Sequence, residues 1–325
     1  MRDAVRILEV VPDGPEARAN VAEAAARLRA GGLVAFPTET VYGLGARALD
    51  PAAVERVFAT KGRPKGHPLI VHVRDEVEAR AVASAWSARA SRLAGDFWPG
   101  PLTLVVPRAP QVPDAVTGGL ATVAVRAPAH PVALALLGAL GEPIVAPSAN
   151  RFQRLSPTRA EHVARSLGDA DVLVLDGGPC ARGLESTVVD VTGPRARVLR
   201  PGPVTRAALE AALGEPVEER AEAVPTDEAR RAPGMDARHY APRARLLLAN
   251  DDAEAQALAA AWTGPGRAVR LRLPDDPDAA SRALYAELHA LDDAGVGAIV
   301  AVLPPQGDAW GALRDRLRRA AALPA

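Results

Sequence analysis

Cysteine is nearly absent from this 325-residue chain, Cys180 being the only one. No disulfide can form within the chain, and no multi-cysteine zinc site can be built. Aromatic residues make up only 3%, so a core has to be packed from Ala, Val and Leu. An excess of one charge is missing too. Lys+Arg and Asp+Glu are both 39, which argues against a protein that coats a polyanion, although a local basic groove fits within a neutral total. No apolar run reaches the roughly 18 residues expected of a membrane span. The opening segment, MRDAVRILEVV, carries Asp3 and Glu9 and lacks the apolar stretch of a secretory signal. A soluble, cytoplasmic protein is the expectation. The nucleotide and zinc signatures GxxxxGK[ST] and HExxH do not occur. GLGARA (43–48) fits GxGxxA in letters, but the next helix is predicted to start only at Pro51, and Arg63 stands where an acidic residue is required.

What is present is a core-forming chain, 48% hydrophobic, long enough for about two domains. Arginine does nearly all the cationic work. Only Lys61 and Lys65 are lysines, both in the stretch KGRPK. For Lys65 this is as well read as chance; for Lys61 it suggests a place that needs a compact ammonium in preference to a planar guanidinium. Hydrophobic periodicity predicts helices over 17–30, 51–61, 75–94, 131–140 and 158–167. Strands are predicted over 33–36, 69–73, 103–106, 122–128, 143–147, 172–176, 186–191 and 196–200. This reads as one α/β domain, residues 1–213. Residues 214–243 are charged and weakly periodic, the composition of a linker. Residues 244–325 alternate strand and helix, with predicted strands at the start of ARLLLAND (244–251) and at 267–273 and 296–304, and read as a small parallel α/β domain.

The polar clusters fall on strand ends and loops. PTETVYGLGA (37–46) follows a strand and is rich in hydroxyls and glycine; it reads either as a cleft lining or as a turn satisfying its own backbone. KGRPKGHPLIVHV (61–73) gathers Lys61, Arg63, Lys65 and His67 in a loop without carboxylates, suited to a polyphosphate. Arg126 lies in the apolar strand ATVAVRAP and needs an anionic partner, either an internal carboxylate or a substrate group. VAPSAN (145–150), LSPT (155–158) and GLESTVVD (183–190) again place small hydroxyls beside strands, and LRPG (199–202) ends a strand in arginine. His130, His162 and His289 sit in helical stretches and read as packing residues. Nothing near Cys180 would activate a thiol. The combination points to an anionic substrate held by Arg, Lys and hydroxyl groups, with catalysis by positioning and charge stabilisation.

These segments, together with FWPGPLTLVV, DGGPCARGLESTVVD, LRPGPVT and the later APGMDARHYAP (232–242), resemble in order the L-threonylcarbamoyladenylate synthases, the two-domain form of the YrdC family. The resemblance implies a twisted mixed sheet with a concave basic cleft, followed by a smaller Rossmann-like domain. It implies the reaction of L-threonine, bicarbonate or CO2, and ATP to threonylcarbamoyl-AMP and pyrophosphate, with Mg2+ accompanying ATP. The product would feed the tRNA threonylcarbamoyltransferase machinery that makes N6-threonylcarbamoyladenosine, with direct contact to tRNA or double-stranded RNA left open. Carried over by position, threonine would meet Thr40, His72, Arg126, the Ala146 backbone and Ser186. ATP would meet Arg63, His67, Thr122, Ser148, Ser156, Arg200 and, from the linker, Tyr240. Lys61 would lie at the phosphates, acting with Arg126 in catalysis. Gln153 stands where the family pattern has glycine. The linker would form a lid over the nucleotide. Two other readings compete: an RNA-binding module, which neutral charge and few aromatics disfavour, and carbamoyl transfer of the hydrogenase-maturation kind, whose zinc-finger cysteines are missing here.

Overall fold

The computed structural model describes residues 5–11, 14–219 and 238–323. Most of the expected lid therefore lies outside the described residues. The first unit is built on one mixed sheet. Its strands are β1 (Arg6–Glu9), β2 (Leu33–Phe36), β3 (Gly43–Arg47), β4 (Ile70–His72), β5 (Leu102–Pro107), β6 (Thr122–Arg126), β7 (Ile144–Val145), β8 (Val172–Asp176), β9 (Thr187–Asp190), β10 (Arg197–Arg200) and β11 (Glu218–Glu219). Their order is β1-β8-β2-β3-β7-β4-β6-β5-β9-β10-β11. The sheet mixes parallel pairs such as β4–β6 with antiparallel ones such as β5–β6. The sheet reaches past the predicted boundary at 213. β11 still pairs with β10, and Val217 packs into the same core.

Local chemistry explains where the helices begin and end. Asp50 accepts from the Ala52 and Ala53 N–H groups, Pro51 fills the first helical position, and Gly62 at φ 61° closes helix Pro51–Lys61. The single helix predicted over 75–94 is instead two, Glu76–Ala81 and Ala88–Phe97, each with its own cap, Asp75 and Ser87. Between them the backbone turns to the sheet: the Ser84 N–H bonds the Pro107 carbonyl, and Ala83 bridges to Arg108. β3 was not foreseen. Its sequence GLGAR reads as loop, yet a Cβ on Gly45 would lie 2.8 Å from the Phe36 ring and 3.0 Å from the Val34 carbonyl. The glycine serves close strand packing, and no dinucleotide turn forms.

The second unit has three parallel strands, β12 (Arg245–Ala249), β13 (Ala268–Arg270) and β14 (Ala298–Val302), in the order β12-β14-β13. Helix Asp252–Ala260 covers one face through Ala255 and Leu258. Helices Pro277–Asp293 and Asp308–Ala321 cover the other through Leu284, Leu288, Leu313 and Leu317. The parallel reading of 244–325 holds. This unit is docked directly on the first: Val41, Leu155 and Leu184, each from a motif loop, share its core.

Among the residues joining the units, the rings of His162 and His289 stack at 3.8 Å. Burial pushes the His162 pKa down to about 3, with His289 and nearby arginines adding to it, and burial lowers His289 as well. Both rings are neutral in the folded state. The unfolded chain takes up protons below its ordinary histidine pKa of about 6.5, so this stability is complete above that pH and is lost as pH falls toward about 3. At pH 5 the His162 contribution alone is a loss of about 2 kcal/mol. The melting temperature should fall between pH 7.5 and pH 5, and His162→Asn should make that fall shallower. Equal slopes for the two proteins would show that the ring pair does not titrate as described.

Candidate active site

Period-two alternation puts the chemistry on one face of the central strands. In LIVHV, Leu69, Val71 and Val73 enter the main core; in TVAVR, Val123 and Val125 do the same. Ile70, His72, Ala124 and Arg126 therefore face the other way. The parallel register sets Ile70 beside Ala124 and His72 beside Arg126. Ile70, Ala124, Val105, Val188 and Leu199 form a small apolar island on that face. Loops rise around it: 38–41, 146–148 and 185–186, then Arg200 and the pair His239–Tyr240. They enclose a cavity of about 520 Å³, open mouth included.

One end of the cavity is organised around Arg126. Its guanidinium donates to Glu39 at 2.6 Å, to the Thr40 hydroxyl at 2.9 Å and to the Gly100 carbonyl at 3.1 Å. The other Glu39 oxygen accepts from the Ala129 N–H. The anionic partner that the strand arginine required is thus an internal carboxylate, and Arg126 also lines the cavity. Both readings of the PTET loop are realised. The Thr38 hydroxyl donates to the Val41 carbonyl and accepts from the Val41 and Thr40 N–H groups, satisfying the turn, while Thr40 faces Arg126. His72 is buried, and burial with Arg126 beside it lowers its pKa to about 3, so the ring is neutral. Its Nδ1 has no hydrogen-bond partner. Across the floor, the Ser186 hydroxyl pairs with Thr103 at 2.8 Å and accepts from Arg200 at 3.0 Å.

The other end is cationic. Lys61 is 2% exposed, and its ammonium donates to the Ser148 and Asn150 carbonyls. Burial, then Arg63 and Arg151, hold its pKa well below the ordinary lysine value. His239 is lowered by burial and by Arg63, Lys61, Arg200 and Arg319 together. Several positive groups thus converge on one partly desolvated hollow, an arrangement that an entering anion relieves. The one cavity carboxylate on this side, Glu185, is already engaged: it accepts from Ser156 at 2.5 Å, Arg316 at 2.7 Å and Tyr285 at 3.1 Å. Burial raises its pKa, but Arg316 and Arg200 outweigh this, and it stays below its ordinary value.

Nine of the residues named from sequence line this cavity: Thr40, Arg63, His72, Arg126, Ala146, Ser148, Ser186, Arg200 and Tyr240. Lys61 stands just behind the wall, bonded to Ser148. Ser156 reaches it only through Glu185. His67 does not line it; its ring packs edge-on against Phe152 at 5.3 Å, and Phe152 in turn meets His239. Thr122 does not line it either. It opens β6, four residues and about 13 Å before Arg126. Lys65 is exposed and pairs with Glu55. Gln153 adopts φ 64°, a glycine-type conformation, and its carbonyl accepts from the Ala241 N–H. Cys180 is buried, which pushes its thiol up and leaves no reactive thiolate. Sequence reasoning gave no role to Glu39, Glu185 or Arg316, and took His239 only as part of the linker run Arg238-His239-Tyr240 expected to meet the nucleotide. Glu39 and Glu185 sit inside quoted motifs, but their arginines lie 87 and 131 residues further along the chain. No signal marked Arg316.

Comparisons with known proteins cover most of the chain. The family model Sua5_yciO_yrdC, described as telomere recombination, matches residues 26–202. A second, described as the C-terminal domain of threonylcarbamoyl-AMP synthase, matches 204–322. The threonylcarbamoyl-AMP synthase of Pyrococcus abyssi is 40% identical over 314 residues, 91% of this chain and 92% of that protein. That of Bacillus subtilis is 38% identical, covering 93% and 92%. The crystal structure of P. abyssi Sua5 complexed with L-threonine superposes with a TM-score of 0.90 at 37% identity, covering 97% of each chain. This chain belongs to the two-domain threonylcarbamoyl-AMP synthases of the Sua5/YrdC family.

The Arg126–Glu39 pair carries a stability prediction. Glu39→Ala would leave the guanidinium buried without its carboxylate, at a cost of about 3–5 kcal/mol. Chemical denaturation should show a matching fall in the midpoint. A loss under about 1 kcal/mol would mean that water already screens the pair.

Proposed function

We propose that this chain makes L-threonylcarbamoyl-AMP and pyrophosphate from L-threonine, ATP and bicarbonate or CO2, and that the product serves N6-threonylcarbamoyladenosine formation in tRNA. The observation that carries the reading is a single hollow whose two ends differ: a guanidinium and hydroxyl end at Arg126, and a denser cationic end at Lys61, Arg63 and Arg200. Family membership supports the same reaction.

In this reading Arg126, Thr40 and Ser186 take the threonine carboxylate, and the Ala146 backbone helps to orient it. His72 offers a neutral ring, which can hydrogen-bond threonine without repelling its ammonium. The nearby positive charge favours loss of the ammonium proton, and the free amine is the nucleophile. Its nitrogen attacks the carbon of CO2, a proton leaves, and a carbamate forms. A carbamate oxygen then attacks the α-phosphorus, the bond to the oxygen bridging the β-phosphate breaks, and pyrophosphate departs. Both reactants are anions, so the step needs the cations that line the far end. Lys61, Arg63 and Arg200 offset the repulsion and the charge on the leaving pyrophosphate. Ser148 holds the nucleotide directly, and Ser156 braces that end through Glu185. Tyr240 covers it and helps to keep water from the labile product. His67 and Thr122 play no direct part in this reading.

Mg2+ enters with the phosphates of ATP. No group of three or more His, Cys, Asp or Glu suited to a metal occurs among the described residues, and Glu185 is committed to Arg316, so the donor set does not fit a resident ion. No helix of the described residues is long and apolar enough to cross a membrane, and a cytoplasmic setting agrees with a product destined for tRNA. Transfer of the product to tRNA falls to a separate transferase.

The test is pyrophosphate release from ATP that requires both L-threonine and bicarbonate, with the adenylate identified by mass. Pyrophosphate release indifferent to threonine would overturn the assignment. Arg126→Ala, checked for folding by its melting transition, should lower kcat/KM for threonine by about 10²–10³-fold. Near-normal turnover would show that Arg126 only braces Glu39.

A further inference from the structure

Arg316 is the most deeply buried charge in the second unit. It lies in helix Asp308–Ala321 with its side chain fully excluded from solvent. A guanidinium so placed needs acceptors on every side. One is local, Asp315 at 2.6 Å. The others belong to the first unit: the Glu185 carboxylate at 2.7 Å and the Pro201 carbonyl at 3.1 Å. Its Cζ also sits 5.1 Å from the centre of the Tyr240 ring, within cation–π range. Three segments that border the cavity therefore meet at one side chain: the loop carrying Glu185 and Ser186, the turn after Arg200, and the chain carrying His239 and Tyr240. Tyr285, from the neighbouring helix Pro277–Asp293, donates to the same Glu185 carboxylate.

We propose that Arg316 is a positioning residue of the ATP half of the site, fixing Glu185 and the Tyr240 ring so that the second unit completes the nucleotide pocket. The proposal rests on the functional reading above and deepens it. Arg316 does not border the cavity, so it acts through Glu185 and Tyr240. Tyr240 is itself held at φ 61°, an unfavourable backbone region for tyrosine, which its neighbours must enforce. A carboxylate shared by Ser156, Tyr285 and Arg316 cannot shift without disturbing all three. Loss of Arg316 should therefore loosen the nucleotide end most; Thr40, His72 and Arg126 do not touch it, and Ser186 remains held by Thr103 and Arg200.

The full-length protein is the subject of the test. Binding of a non-hydrolysable ATP analogue and of L-threonine is measured by calorimetry, beside the melting temperature. Arg316→Met should weaken the ATP analogue at least tenfold and change threonine affinity less than threefold. It also leaves Glu185 buried without its cation, so instability alone could mimic the effect. The double variant Glu185→Gln with Arg316→Met removes both charges and should recover most of the melting temperature. If Arg316 positions the site, ATP affinity stays low there, because Tyr240 still lacks its cation. A stable double variant with wild-type ATP affinity overturns the proposal. Should neither variant fold, Arg316→Lys keeps the charge without the planar fork. Weakened ATP binding at an unchanged melting temperature supports the proposal, and unchanged binding overturns it. Wild-type protein that binds no ATP analogue would instead overturn the reading of the site and this proposal with it.

Discussion

Like charges crowded into a hollow with little water repel one another, and the architecture of this molecule is arranged to hold several of them there. Lys61, Arg63, Arg200 and Arg319 all act on His239. Nothing in a small polar cleft would keep them together unaided. What keeps them is rigid surroundings: a capped helix ending at Lys61, a strand ending at Arg200, and loops pinned by their own hydroxyls. The cost of that convergence is offset when a polyanion enters, so in the proposed reading the hollow is preorganised for phosphate groups.

The sheet supplies the placement. Two short strands, β4 and β6, carry His72 and Arg126 at paired register positions, and simple alternation sends both side chains away from the core. That much was legible in LIVHV and TVAVR, where the polar residue sits one step out of phase with the valines. The motif loops were legible for a related reason: polar residues just beyond a buried strand have few places to go but a cleft. The glycine strand β3 was not, because its residues are chosen for close packing against Phe36 and leave no hydrophobic pattern. The break at residues 82–87 was hidden as well. Its cause is a backbone bond to Pro107 and the Ser87 cap, and the helical periodicity on either side masks both.

The partnerships of the two buried acids were harder to foresee. Glu39 and Glu185 could be noticed in their motifs, but their partners stand 87 and 131 residues further along the chain. Spacing rules work over a few residues on one helix or strand. They say nothing of an arginine on the last helix meeting a loop of the other unit. The apolar members of the same loops, Val41, Leu155 and Leu184, tell the same story, since each reads as local core and each packs against the second unit.

The choice of cation follows from geometry in both cases where it is most deeply buried. Lys61 donates to two backbone carbonyls, Ser148 and Asn150, both from the loop after β7. A compact ammonium has three donors, so this leaves one direction for an incoming anion, in a space where a planar fork would have to displace a carbonyl. Arg316 faces the opposite demand. Its acceptors, Glu185, Asp315 and Pro201, spread around a plane, and a tyrosine ring lies over that plane. Only a guanidinium meets all four at once. In a chain with two lysines and 37 arginines, the compact cation thus stands where two backbone carbonyls converge, and the planar one, Arg316, stands where the two units are joined.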